Sequence, residues 1–456
     1  MVVEVGGCSL LANVEGFGAL LRKFRLRAGL TQEELAEMSG VSARTISQLE
    51  TGKRGAPRVA SVRMLAQALS LDAEERATLL NVTAGHTEDG DAGDPSPKPM
   101  TTARPQRKKC FLPRGVPDFV GRKAELDRLL GPAAAMRTES MAVTVVDGTA
   151  GVGKTAFAVH AAHLLAERYP DGQFFCDLHG FTPNRGPLDM MAALRALLRM
   201  ADVPAERIPA SLDERSAFWR AALAGRQVLV VLDNVGEPGC VHPLLPGTAG
   251  SHVMVTSRRR ATTVDGSTSI SLDVLRPDEA IALFVETAGR DRTCDELDAV
   301  AEIVRLCGFL PLGIRIAASR LRSRPSWTVS RLAERLRARA YRLSELDADG
   351  EHGVAAALMS SYRVLNADQQ KLFTQLGHHP AVHFDAHSVA VFAGMPLRQV
   401  ERLLDELVDH HVLMEPVAGR YTFHELLRDH AKALAISAGP PDDRADPIDR
   451  LLAHQM

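Results

Sequence analysis

The ten residues from Asp147 to Ala156, DGTAGVGKTA, have the composition of a loop that holds polyphosphate. Gly148, Gly153, Lys154 and Thr155 satisfy the spacing G-x-x-x-x-G-K-[ST], and Gly151 adds another position free of side-chain obstruction. Backbone N–H groups of such a loop point at a β-phosphate, and the helix that begins through Ala156 adds the positive end of its dipole. Lys154 would neutralise the β and γ oxygens, and Thr155 would ligate magnesium. Further along, QVLVVLDNV ends an apolar run in Asp233, a carboxylate placed to hold the same Mg2+ through water. The chemistry implied is binding of ATP or ADP, with Lys154 and Asp233 as the groups that act on it. Asn234 follows where a second acid would activate water. Slow hydrolysis is expected, which suits a switch better than a motor.

These residues need strands to carry them. MAVTVVD (141–147) and QVLVVLDNV are near-continuous apolar runs, as expected of strands buried on both faces of a parallel sheet. FAVHAAHLLAERY after the loop is amphipathic and helical. Strands and helices alternate to about residue 270, a helical stretch follows to about 345, and a further small domain extends to about 435. The segment 81–110 is rich in Pro, Gly, Asp and Thr and turns from acidic to basic, the composition of a flexible linker. Residues 436–456 form a C-terminal tail.

The region before the linker has a different character. FGALLRKFRLRAGLTQEELAEMSGVSARTISQLETGKRGAP supports three short helices, with Leu20, Leu21 and Phe24 as the apolar stripe of the first. Thr31 with Glu34 forms a capping box for the second, Ser42 caps the third, and Gly40 lies at the turn between them. Leu35 and Ala36 facing Ile46 and Leu49 give the close crossing of a helix-turn-helix. From Arg22 to Arg63 there are nine Lys or Arg against four Asp or Glu, a local excess suited to a polyanion.

Composition bounds the alternatives. At 456 residues the chain exceeds one hydrophobic core, and 45% apolar with 24% charged residues is ordinary for a globular protein. A net charge of −2 makes any basic surface local. Cys8, Cys110, Cys176, Cys240, Cys294 and Cys307 are scattered without a C-x-x-C pair, which fits a reducing cytoplasm. No apolar stretch approaches the roughly 20 residues of a membrane span, so the expectation is a chain neither exported nor embedded.

The motifs LTQEELA, GVS and ISQLETGKR resemble the XRE-type helix-turn-helix over roughly residues 15–80. That resemblance implies double-stranded DNA as partner, with Ala43, Arg44 and Ser47 at base edges. It places Gln32, Thr45, Gln48, Lys53, Arg54 and Arg58 at phosphates. FLPRGVPDFVGRKAELDRLL, FFCDLHGF, VMVTSR, CGFLPLGIRIAASRL and YTFHELLRDHA, in that order from about 111 to 435, resemble the NB-ARC module of STAND signalling ATPases, including actinobacterial antibiotic-regulator proteins. The implied fold is multidomain: an all-α helix-turn-helix, an α/β P-loop nucleotide domain with a parallel sheet (111–270), a helical domain (271–345) and a winged-helix regulatory domain (346–435). The resemblance further implies that Val120 and Arg122 meet the adenine end, Arg258 senses the γ-phosphate, Pro311 packs near the base, and His424 touches the β-phosphate of ADP. Here the family's Met-His-Asp reads Phe423-His424-Glu425, which puts the strength of that last contact in question. The expected protein is a nucleotide-switched DNA-binding transcription regulator with nucleotide-dependent self-association, its sensor truncated, lost or supplied by a separate partner. A defence or stress-signalling ATPase whose helix-turn-helix recruits a partner or senses nucleic acid is the alternative, and a plain hydrolase a further one.

Overall fold

The computed structural model describes residues 17–39, 41–51, 59–69, 71, 75, 109–131, 141–182, 186–260, 264–347 and 353–438. The chain divides into two units between Thr102 and Ala103.

The first unit is helical: α1 (Phe17–Arg27), α2 (Gln32–Ser39), α3 (Ala43–Glu50) and α4 (Val59–Ala68). Local signals set the helix starts. The Thr31 hydroxyl accepts from the Glu34 N–H at 3.2 Å while the Glu34 carboxylate accepts from the Thr31 N–H at 2.7 Å, closing the capping box. Ser42 caps α3 by accepting from the Thr45 N–H. Leu21, Leu35, Ile46 and Leu49 share one core with Phe17, Phe24, Val62 and Leu65. Beneath α3, Arg25 donates two hydrogen bonds to Glu50, at 2.6 and 2.9 Å, a forked pair that fixes the α1–α3 crossing.

The second unit is built on a five-stranded parallel sheet in the order β2-β3-β4-β1-β5, the strands being β1 (Ala142–Gly148), β2 (Gly172–Asp177), β3 (Val228–Val235), β4 (His252–Ser257) and β5 (Thr268–Leu272). Every residue of β4 is buried, as both-face coverage requires. The helix Lys154–Leu165 covers one face through Phe157, Ala158 and Ala161. The helices Met190–Met200 and Leu212–Leu223 cover the other, around the fully buried Trp219.

The core under Phe157 does not stop at the sheet. It continues through Phe284, Ile303, Ile314 and Leu332 into Leu358, Phe373, Leu404 and Leu426. It therefore joins the helices Pro277–Ala288, Leu297–Leu306, Pro311–Arg322 and Val329–Arg337 to the C-terminal helices Val354–Tyr362, Ala367–Leu376, Leu397–Asp409 and Glu425–Ala438. A small antiparallel sheet, β6 (His383–Phe384), β8 (Arg420–Thr422) and β7 (Met414–Val417), lies among the last of these elements in the order β6-β8-β7. Arg342, almost wholly buried, donates to Glu425 at 2.8 Å and Asp429 at 3.1 Å, tying the helix Arg339–Glu345 to the last helix. Among the described residues no helix is long and apolar enough to cross a membrane.

Candidate functional site

β1 and β3 flank β4 and run parallel to it, which brings the Gly148–Thr155 loop and Asp233 to the same end of the sheet. Gly153 begins the helix with φ 95°, a left-handed conformation that favours glycine. The Lys154 ammonium donates to the carbonyls of Gly148 and Thr149, each at 2.8 Å. Burial, reinforced by Arg258, lowers its pKa to about 7 against the attraction of Asp233 and Asp147. The Thr155 hydroxyl lies 2.9 and 3.0 Å from the two Asp233 oxygens, and Thr256 donates to one of them at 2.6 Å. Burial raises the Asp233 pKa, with both hydroxyls opposing it. A hydroxyl and a carboxylate meeting at this distance are the hard oxygen donors that suit magnesium.

A cavity of about 540 Å³ opens beside them, lined by Val120, Arg122, Gly151, Gly153, Lys154, Thr155, Ala156, Asp233, Arg258 and Pro311. Phe119, Leu275, Leu283 and Leu312 add apolar wall. Gly148 stands behind this lining, as the acceptor for Lys154. Arg122 is buried with a left-handed backbone (φ 65°), and its guanidinium donates to the carbonyls of Val152 (3.3 Å) and Asp273, so it braces the loop from the side. Pro311 starts its helix at the first turn, where the missing N–H costs nothing, and the next N–H, that of Leu312, donates to the Gly151 carbonyl at 3.1 Å. Arg258 reaches from the end of β4 into the C-terminal helices: one nitrogen donates to the Ala357 carbonyl (3.0 Å) and the hydroxyls of Ser360 (2.6 Å) and Ser361 (2.9 Å). Burial brings its pKa down to about 10.

His424 is not among the lining residues. It is buried, with Nε2 2.8 Å from the Gly308 carbonyl, while Nδ1 accepts from the Leu426 N–H at 3.3 Å. Since Nδ1 accepts, Nε2 is the donor, and the ring is neutral; burial accordingly lowers its pKa against the pull of the Gly308 carbonyl. His424 lines a second cavity of about 330 Å³ with Thr149, Arg260 and His411. Nearby, Asp147 at the end of β1 lies 3.0 Å from His411 and accepts from Ser269 at 2.8 Å. Burial would raise the Asp147 pKa, but His411, Ser271 and Ser269 outweigh it and hold it below the usual range.

Sequence reasoning missed Asp177, Thr256 and Arg315, all in the lining of the first cavity. Thr256 precedes the TSR arginine by two positions and Asp177 ends the second strand, so strand ends were the available signal. In the first unit Arg44 is exposed, and Ala43, Thr45, Ser47 and Gln48 are partly exposed on the same helix. The Gln32 amide donates to Glu50 at 2.7 Å, which fixes the start of α2 beside α3. Gly40, Lys53, Arg54 and Arg58 lie outside the described residues.

Residues 17–79 match a family described as a helix-turn-helix domain, and residues 123–294 match the NB-ARC domain. The chain joins a helix-turn-helix domain to an NB-ARC domain. The NB-ARC domain is a nucleotide-binding one, in keeping with the phosphate loop it carries here. Similar proteins include the regulatory protein AfsR of Streptomyces coelicolor, 40% identical over 77% of this chain and 36% of AfsR, and that of Streptomyces griseus, 39% identical over 76% and 35%. The resemblance to actinobacterial regulators thus covers most of this chain, which spans about a third of their length. Over the helix-turn-helix, the transcriptional repressor RghR of Bacillus subtilis is 48% identical, covering 13% of this chain and 45% of RghR.

Proposed function

We propose that the protein is a DNA-binding transcription regulator switched by ADP and ATP. The observation that carries this reading is Arg258. It lines the NB-ARC cavity and also holds Ala357, Ser360 and Ser361 of the helix Val354–Tyr362. A γ-phosphate in the cavity competes for that guanidinium, so the state of the nucleotide is passed to the C-terminal helices. Thr155 and Asp233 would hold Mg2+, which supplies charge neutralisation for the phosphates. Lys154 keeps the loop carbonyls in place and meets the β and γ oxygens. Residues 346–435 act as the winged-helix regulatory domain, with His424 closing it against Gly308. The closed form is the resting one, and opening exposes surface for self-association, under control of a sensor partner.

The regulatory role is supported by the names of the AfsR proteins, and the DNA-reading role by RghR. α3 enters the major groove, with Arg44 as the side chain best exposed to read a base and Thr45 and Gln48 beside it for phosphates. A reducing cytoplasm suits the free thiols of Cys110, Cys176, Cys240, Cys294 and Cys307.

The test is to select a preferred duplex with the full chain, then measure affinity and mass with ADP and with a slowly hydrolysed ATP analogue. Affinity and mass differ between the two states in the wild type. Arg258→Ala binds both nucleotides yet shows one affinity and one mass. Identical DNA affinity of the wild-type protein in both states sinks the switch.

A further inference from the structure

We infer that Asp177, oriented by His179, is the carboxylate that activates the attacking water in the NB-ARC cavity, an inference that rests on the ATP reading above. Asp233 is occupied: it is buried and accepts from both Thr155 and Thr256. The next residue on β3, Asn234, has no acid to offer. Its backbone is left-handed at φ 59°, and its side-chain amide donates to Thr182 at 3.0 Å.

The neighbouring strand supplies what β3 lacks. β2 and β3 run parallel with Asp177 directly opposite Asp233, so both carboxylates leave the same edge of the sheet toward one side. Both line the cavity that Lys154 and Arg258 also line. Asp177 keeps 38% of its side chain accessible, against the buried Asp233, so it has room to meet water. Its geometry is held from behind. One oxygen accepts from the His179 N–H at 2.8 Å, and the other lies 3.1 Å from Nδ1 of the same residue. His179 itself is left-handed at φ 54°. The segment is pinned to β3 on either side of it, Leu178 N–H donating to the Asp233 carbonyl at 2.9 Å and Gly180 N–H to that of Asn234 at 2.8 Å. A carboxylate fixed by its neighbour and open to solvent, in a cavity that two cations also line, is placed for general-base work.

In the step, a water oxygen forms a bond to the γ-phosphorus as Asp177 takes the water's proton. The bond from that phosphorus to the oxygen bridging to the β-phosphate breaks, and its electron pair leaves with ADP. Inorganic phosphate is the other product, and Asp177 returns its proton to solvent.

The experiment uses the full chain and two readouts: equilibrium affinity for ATP and ADP, and single-turnover cleavage of γ-labelled ATP. Asp177→Asn keeps an oxygen for the His179 N–H and removes the base. Cleavage falls about a hundredfold or more, with nucleotide affinity and melting temperature unchanged. His179→Gln slows cleavage less, and the double variant is no slower than Asp177→Asn alone. Cleavage by Asp177→Asn at the wild-type rate overturns the inference, as does a loss of affinity and stability matching the loss of rate. Wild-type protein that binds ATP and never cleaves it overturns the inference while sparing the nucleotide switch. Wild-type protein that binds no nucleotide overturns both.

Discussion

Lys154 is a cation in surroundings that disfavour one. With a pKa near 7, it is charged below that pH and increasingly neutral above it. Polyphosphate favours the charged form, so binding above pH 7 must take up a proton. Nucleotide affinity is therefore expected to fall by about tenfold per pH unit above 7. In Lys154→Arg the guanidinium stays charged across the same range, and the slope should vanish even if the affinity itself changes. Titration calorimetry from pH 6 to 9, in buffers of differing ionisation enthalpy, reads both the slope and the proton. A wild-type affinity that is flat with pH, with no proton taken up, would show that Lys154 is charged throughout.

Between elements, the turn Cys307–Leu310 and the His424 ring meet with no slack. Gly308 is left-handed at φ 59°, and a methyl group there would sit 2.5 Å from Cε1 of His424 and 2.6 Å from Nε2. Gly308→Ala should cost about 2 kcal/mol or more, part from the backbone and part from the ring. The ring's share is measurable: in the Gly308→Ala, His424→Ala double variant, the loss of unfolding free energy should be clearly smaller than the sum of the losses in the single variants. Additive effects would mean that the strain is all in the backbone. Such pairings also mark what the sequence withheld. The phosphate loop, its flanking strands and the caps at Thr31 and Ser42 were legible because each signal is local: a run, a spacing, a hydroxyl three residues before its partner. Arg258 with Ser360, Asp147 with His411, and His424 with Gly308 join residues more than a hundred positions apart, and no periodicity announces them. His424 shows the cost of this. Its place in a motif was readable, but its immediate partner was not. For Gln32 the motif gave an expected phosphate contact, and nothing local announced that its amide also reaches Glu50.

At the scale of the molecule, the helix-turn-helix has a core of its own, closed by residues from Phe17 to Leu71. A fragment of residues 1–83 should therefore fold and bind DNA on its own, as helical circular dichroism and a gel-shift titration would record, while Lys154→Ala in the full chain abolishes tight nucleotide binding. A fragment that is unfolded or inert on its own would mean that the helix-turn-helix needs the NB-ARC domain. The NB-ARC domain has no such freedom. Its core under the sheet runs on without a break to Leu426 and Ala431. The matched family ends at residue 294, in the middle of that core. Anyone preparing the nucleotide domain for crystals or binding assays by cutting there would lay bare Phe284, Leu283 and Ala280 on the exposed side of a severed helix layer. Such a fragment should clump with itself, and the clumping would be easily mistaken for regulated assembly. The smallest piece whose apolar side chains stay dry runs from about residue 109 to 438.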